Sequence, residues 1–171
     1  MTIFKNNCLI ACLCYLCTIL GYILLTAGFV TPFWKVETSG GVTRYSGLIM
    51  ACYSNLSCTF DVDTIKSYSS GDFSGFQIGA MTLGIAGWVL GLVALIIIMI
   101  YSCFPITVTG VLAFVFALLS GVSGAVCVII YGSGIPNLTQ VSVSWSLGLF
   151  TGGSALMITV GILLIINVCV L

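Results

Sequence analysis

The chain has 171 residues, 60% hydrophobic and 5% charged, with four basic and four acidic side chains, no histidine and a net charge of zero. A soluble domain carries about 25% charged residues to keep its surface wet, so the composition excludes an ordinary soluble domain, and the lack of a basic excess argues against a nucleic-acid partner. Every charge lies at or before Asp72 and none between Phe73 and Leu171, a distribution that suits lipid, where a charged side chain at the centre of a spanning helix costs about 2.5–3.5 kcal/mol.

The first apolar run covers about 8–30 and follows Lys5. It exceeds the apolar region of a signal peptide, about 7–15 residues. Thr31-Pro32-Phe33-Trp34 follows it in place of a small-residue cleavage site, so it reads as a retained first span.

The loop over about 31–77 is the only stretch with a mixed composition. Within it, Phe33-Trp34-Lys35-Val36-Glu37 alternates, with Trp34 and Val36 on one face and Lys35 and Glu37 on the other. Gly40-Gly41 can supply the positive φ angles of a tight hairpin turn, and Val42-Thr43-Arg44-Tyr45 reads as the returning strand. A second hairpin is expected where Cys52 and Cys58 frame Tyr53-Ser54-Asn55-Leu56-Ser57. A disulfide between them would add about 2–4 kcal/mol by restricting the unfolded chain; the alternative is two free thiols.

Further spans follow at about 78–101, 107–131 and 147–171, separated by a tight turn and by a loop over about 132–146. Each is long enough for a hydrocarbon core about 30 Å thick. None shows the period-two alternation of barrel strands, so the runs are helices. The expected fold is a transmembrane four-helix bundle with a small extracellular antiparallel β-sheet, forming a single domain over 1–171. Gly87-x-x-x-Gly91 in the second span and Gly148-x-x-x-Gly152 in the fourth match a close-packing pattern, which points to contacts within the bundle, the alternative being a self-association face.

The positive-inside rule is mildly against placing the longer loops outside, because Lys35, Arg44 and Lys66 lie in the first and only Lys5 precedes the first span. Two other signals outweigh it. Asn55-Leu56-Ser57 and Asn137-Leu138-Thr139 are glycosylation sequons, one in each longer loop. The close pair Cys52 and Cys58 suits an oxidising compartment. The longer loops are therefore expected outside and both termini in the cytoplasm, with Asn55 the better glycan acceptor because its loop reaches farther from the membrane.

No catalytic constellation is present. Without histidine, histidine-based triads and zinc–histidine sites are excluded, and neither an enzyme nor a cofactor is expected. Cys12, Cys14, Cys17 and Cys127 read as small buried apolar residues, with a metal site in the first span the discarded alternative. Cys8, Cys103 and Cys169, near the expected cytoplasmic rim, are candidates for S-palmitoylation.

Trp34, then Gly47-Leu48, then Cys52 and Cys58, resembles the tryptophan–glycine–leucine–tryptophan–cysteine–cysteine pattern of the claudin superfamily. That superfamily includes the peripheral myelin and epithelial membrane proteins and the calcium-channel gamma-type subunits. Thr31-Pro32-Phe33-Trp34-Lys35-Val36 looks like the claudin first strand, and Trp145-Ser146-Leu147-Gly148 through Gly153 resembles the start of the fourth span. The resemblance covers nearly the whole chain. Ile49 stands where the second tryptophan is usual, the cysteines are closer together than in most claudins, and no tail carries the motif for junctional PDZ scaffolds.

The resemblance implies a plasma-membrane protein of cell–cell contacts, self-associating in cis and in trans, that forms a paracellular barrier or pore through its first extracellular loop. Asp61 and Asp63, just past the second cysteine, would then be candidates for a cation-favouring pore lining. Two other roles occur in the superfamily: auxiliary subunit of a channel or receptor, and peripheral-myelin-type membrane organiser.

Overall fold

The computed structural model describes residues 2–39, 42–54, 58–60, 75–104, 106–133 and 141–170; within these, 2–11, 37, 39, 42, 59–60, 75–77, 141–143 and 169–170 are described by their backbone alone. Four long helices dominate: α1 (Thr2–Val30), α2 (Gly75–Cys103), α3 (Thr107–Ser133) and α4 (Trp145–Val170). Each contains a segment long and apolar enough to cross a membrane, within Cys12–Val30, Ile78–Cys103, Thr107–Ser133 and Trp145–Val168. Helices apolar around their whole circumference are expected where lipid, not water, lies outside. The molecule is a multi-pass membrane protein built as a four-helix bundle carrying a small antiparallel sheet.

The helix ends extend past the predicted spans. α2 starts at Gly75 and α3 continues to Ser133, whose hydroxyl donates to Ile130 O at 2.8 Å. α4 starts at Trp145, so both helices take residues from the predicted 132–146 loop. The α2–α3 connection is as short as expected: Phe104 N bonds Ile100 O at 2.8 Å, and Ile106 N bonds Phe104 O at 2.8 Å.

The helices form a ring in which α1 and α3 each pack between α2 and α4. Small residues let backbones approach. A Cβ on Gly153 would lie 2.7 Å from Leu25 N and 2.8 Å from Gly21 O, so α4 and α1 touch main chain to main chain. Between α2 and α3, the Ser120 hydroxyl donates to Gly87 O at 2.7 Å. Trp88 Nε1 donates to Thr26 Oγ1 at 3.0 Å, joining α2 to α1 beside a stacked Phe29 ring.

Two readings of the helices need correction. Gly87 and Gly91 do pack inward, against Gly124, Ser120 and Tyr22, but a Cβ on Gly148 or Gly152 would meet nothing within 4 Å. The inner face of α4 is the stripe Phe150, Gly153, Ser154, Met157, Val160 and Leu164, all buried. The glycine pair with the motif spacing falls on the other side. Cys12 is likewise exposed on the outside of α1, whereas Cys14 and Cys127 are buried as expected and Cys17 is half-buried.

Among the described residues the sheet has five strands: β1 (Lys35–Ser39), β2 (Val42–Ser46), β3 (Met50–Tyr53), β4 (Cys58–Phe60) and β5 (Val141–Val143), in the order β4-β3-β2-β1-β5. All neighbouring pairs are antiparallel. β1–β2 and β3–β4 are the two predicted hairpins. β5 is an addition: it comes from the second loop and pairs Lys35 with Val143 and Val36 with Ser142.

Candidate functional site: the sheet and its seat on the bundle

The seat begins at the end of α1. A helix leaves its last carbonyls without intrahelical partners, and here Pro32, which has no N–H, stands where the donor to Gly28 O would be. Trp34 supplies that donor instead, its indole Nε1 bonding Gly28 O at 2.6 Å. The ring is 0% exposed and lies against Tyr131 of α3 and Phe150 of α4, at centroid distances of 5.0 and 5.1 Å. About four residues past the first expected span, Trp34 is placed by sequence to anchor the sheet to the outer helix ends with its amphipathic ring at the membrane interface. The structure buries it inside the protein, where one side chain joins α1, α3 and α4 to the sheet. Its backbone extends the ladder on both sides, Trp34 N to Ser46 O and Ser144 N to Trp34 O, each 3.2 Å.

Gly47 and Leu48 form the second attachment. Gly47 N donates to Met50 O at 2.8 Å, closing the turn between β2 and β3. A Cβ on Gly47 would lie 2.6 Å from Thr31 O and 2.7 Å from Pro32 Cα, so only glycine lets the turn settle on the end of α1. Leu48 then projects into the space left by Gly84 of α2, where an added Cβ would collide with its Cδ2. Ile49 is partly buried against the same core. A third tie, not predicted, is the 2.8 Å bond from Thr31 Oγ1 to Ser146 Oγ, which joins the end of α1 to the start of α4.

The outer part of the sheet is braced covalently. Cys52 and Cys58 face each other in register across β3 and β4 and form a disulfide. On β2, the Arg44 guanidinium lies over the Tyr53 ring, 5.7 Å from its centroid. The strands at the two edges, β4 and β5, are the shortest in the sheet, three residues each. Short edges limit unintended strand addition from another chain.

The remaining candidates separate by position. Cys103 ends α2 and is exposed. Cys8 lies in α1 and Cys169 near the end of α4, both placed by backbone. Asn55, Asp61, Asp63 and Asn137, like Gly40 and Gly41, lie outside the described residues. Among the described residues no three histidine, cysteine or acidic side chains gather in a group able to hold a metal.

The signals missed in the sequence are specific. β5 has only Val141-Ser142-Val143 to announce it, too short an alternation to distinguish from loop. The pairing of Trp34 with Gly28 follows from Pro32, since the missing N–H requires another donor for that carbonyl.

The fold and the seat define a class: a four-span bundle whose two longer connections meet in one sheet. No protein-family profile matches the chain, and no curated protein matches its sequence.

Proposed function

We propose that this chain is a claudin-like protein of cell–cell contacts, with its sheet in the extracellular space and its termini in the cytoplasm, that builds or organises a paracellular barrier or pore. The observation that carries the proposal is the convergence of the motif residues on one structural task. Trp34, Gly47 and Leu48 seat the sheet on the bundle, and Cys52 and Cys58 brace its outer hairpin. A sheet held in this way is a rigid platform, suited to meeting a like surface on a neighbouring molecule or an apposed cell. The sequons at Asn55 and Asn137 and the disulfide support placing that platform outside the cell.

Expression in junction-deficient epithelial cells tests the proposal. Contact-enriched strands and altered transepithelial conductance are expected. Replacing Asp61 and Asp63 together by Asn should shift permeability away from cations if these acids line the path. Two unit charges about 4 Å apart interact by about 1 kcal/mol in bulk water but about 4 kcal/mol at an effective dielectric near 20, so a narrow path reports the change. Strands with unaltered ion preference would remove the pore lining and leave adhesion. Absence of strands and of any conductance change, with a channel recovered alongside the protein, would replace the proposal by the auxiliary-subunit role.

A further inference from the structure

Three aromatic rings form a continuous row at the edge of the sheet's seat. Trp145, the first residue of α4, stacks on Phe33 at 5.4 Å between centroids and 29° between planes. Phe33 in turn meets Tyr45 of β2 edge-on at 5.3 Å. Unlike Trp34 beside it, Trp145 is 54% exposed. It also begins the outer stripe of α4, which runs on through Gly148, Ala155, Thr159, Ile162 and Ile166, all exposed. That stripe is lipid-facing surface, so the row is continuous with it on one side and with the polar sheet on the other.

A second polar layer lies at the opposite end of the bundle. There Asn167 Nδ2 donates to Tyr101 Oη at 3.1 Å, joining α4 to α2, with the two residues 3% and 1% exposed. Asn167 Oδ1 has no hydrogen-bond partner among the described residues. A polar group incompletely bonded costs more the deeper it lies in hydrocarbon, which favours a place near a boundary. The rise along α4 from Trp145 to Asn167, at about 1.5 Å per residue, is about 33 Å, close to a hydrocarbon thickness of about 30 Å.

We infer that the Trp145–Phe33–Tyr45 row docks into the glycerol–carbonyl layer of the bilayer leaflet on the sheet side and fixes the depth of the protein, with the Tyr101–Asn167 pair marking the other boundary. Trp145 and Tyr45 partition to that layer because their apolar rings leave water while their N–H and O–H groups stay hydrogen-bonded, and the hydrocarbon ring of Phe33 packs between them. The sheet is thereby held directly above the headgroups, with its first strand starting at the membrane surface.

The test uses the full chain in phosphatidylcholine vesicles whose acyl chains are brominated either near the carbonyl end or near the methyl end. The difference in emission between the wild type and Trp145→Phe isolates Trp145 and leaves Trp34 and Trp88 in place. The greatest loss of that difference emission is expected with bromines near the carbonyls, and little loss with aqueous iodide. Strongest loss from bromines near the methyl ends would overturn the depth assignment. Loss to iodide without loss to bromolipid would put the row in water. No loss to either quencher would mean that protein, not lipid, covers it.

Discussion

Replacing Trp34 by alanine should release the sheet from the bundle while leaving the helices packed. Three contributions are lost together: the ring's packing against Tyr131 and Phe150, its full burial, and its hydrogen bond to Gly28 O. Truncating a buried tryptophan costs about 3–5 kcal/mol. Each 1.4 kcal/mol is about tenfold in an equilibrium constant, so the undocked population should rise about 100-fold or more. Trp34→Phe keeps most of the packing but leaves the carbonyl without its donor; at about 1–3 kcal/mol for a buried unsatisfied group, it should fall between the two. Hydrogen exchange on the protein in nanodiscs reads this directly. The amides of Trp34 and Ser144, bonded to Ser46 O and Trp34 O, should lose protection by those factors, while the interior of α3 around Ser120 keeps its own. Wild-type exchange at the sheet amides of Trp34→Ala would refute the account of the seat, and an equal rise throughout the helices would show that Trp34 holds the whole bundle instead.

Gly84→Val should block the space that Leu48 occupies and undock the β2–β3 turn, and adding Leu48→Ala should restore it; failure of the second change to rescue the first, by exchange at Gly47 N, would disconnect the two residues. Adjacent glycines on α4 should behave oppositely: Gly153→Val, which drives a side chain into the backbone of α1, should lower the unfolding temperature far more than Gly152→Val, which meets open space, and equal shifts would contradict the packing described. Changing Cys52 and Cys58 together to Ser should destabilise the outer hairpin by about 2 kcal/mol for so short a loop, and reductant should reproduce the effect on the wild type; recovery of both as free thiols by non-reducing mass mapping would contradict the bond.

The spans and the two hairpins were legible because each rests on a local signal. Absence of charge after Asp72 defines lipid-exposed helices, and alternation with Gly40-Gly41, or with a close cysteine pair, defines a hairpin. Long-range choices were not legible. Gly148-x-x-x-Gly152 has the same spacing as Gly87-x-x-x-Gly91, yet which side of a helix meets a neighbour depends on where the whole ring of helices places it, and in α4 the adjacent Gly153 is the one that does. Trp34 was recognisable as an anchor, but its burial was not, because the rings that enclose it, Tyr131 and Phe150, belong to α3 and α4. Strand β5 was invisible for a related reason: three residues acquire a strand conformation only by pairing with β1, about a hundred positions earlier in the chain.

That last pairing has a consequence for biosynthesis. The ribosome makes β1 through β4 before α2, so most of the sheet can assemble while only the first two helices exist. The outer edge of β1 stays unoccupied until α3 has been threaded through the membrane and β5 arrives on the same side. Trp34 waits for the same event, since Tyr131 and Phe150 are also made late. An incomplete chain therefore presents a bare strand edge until β5 arrives and an incompletely buried indole until α4 is inserted. Retention machinery that reads exposed strands or aromatic surface would hold this protein until α4 is in place.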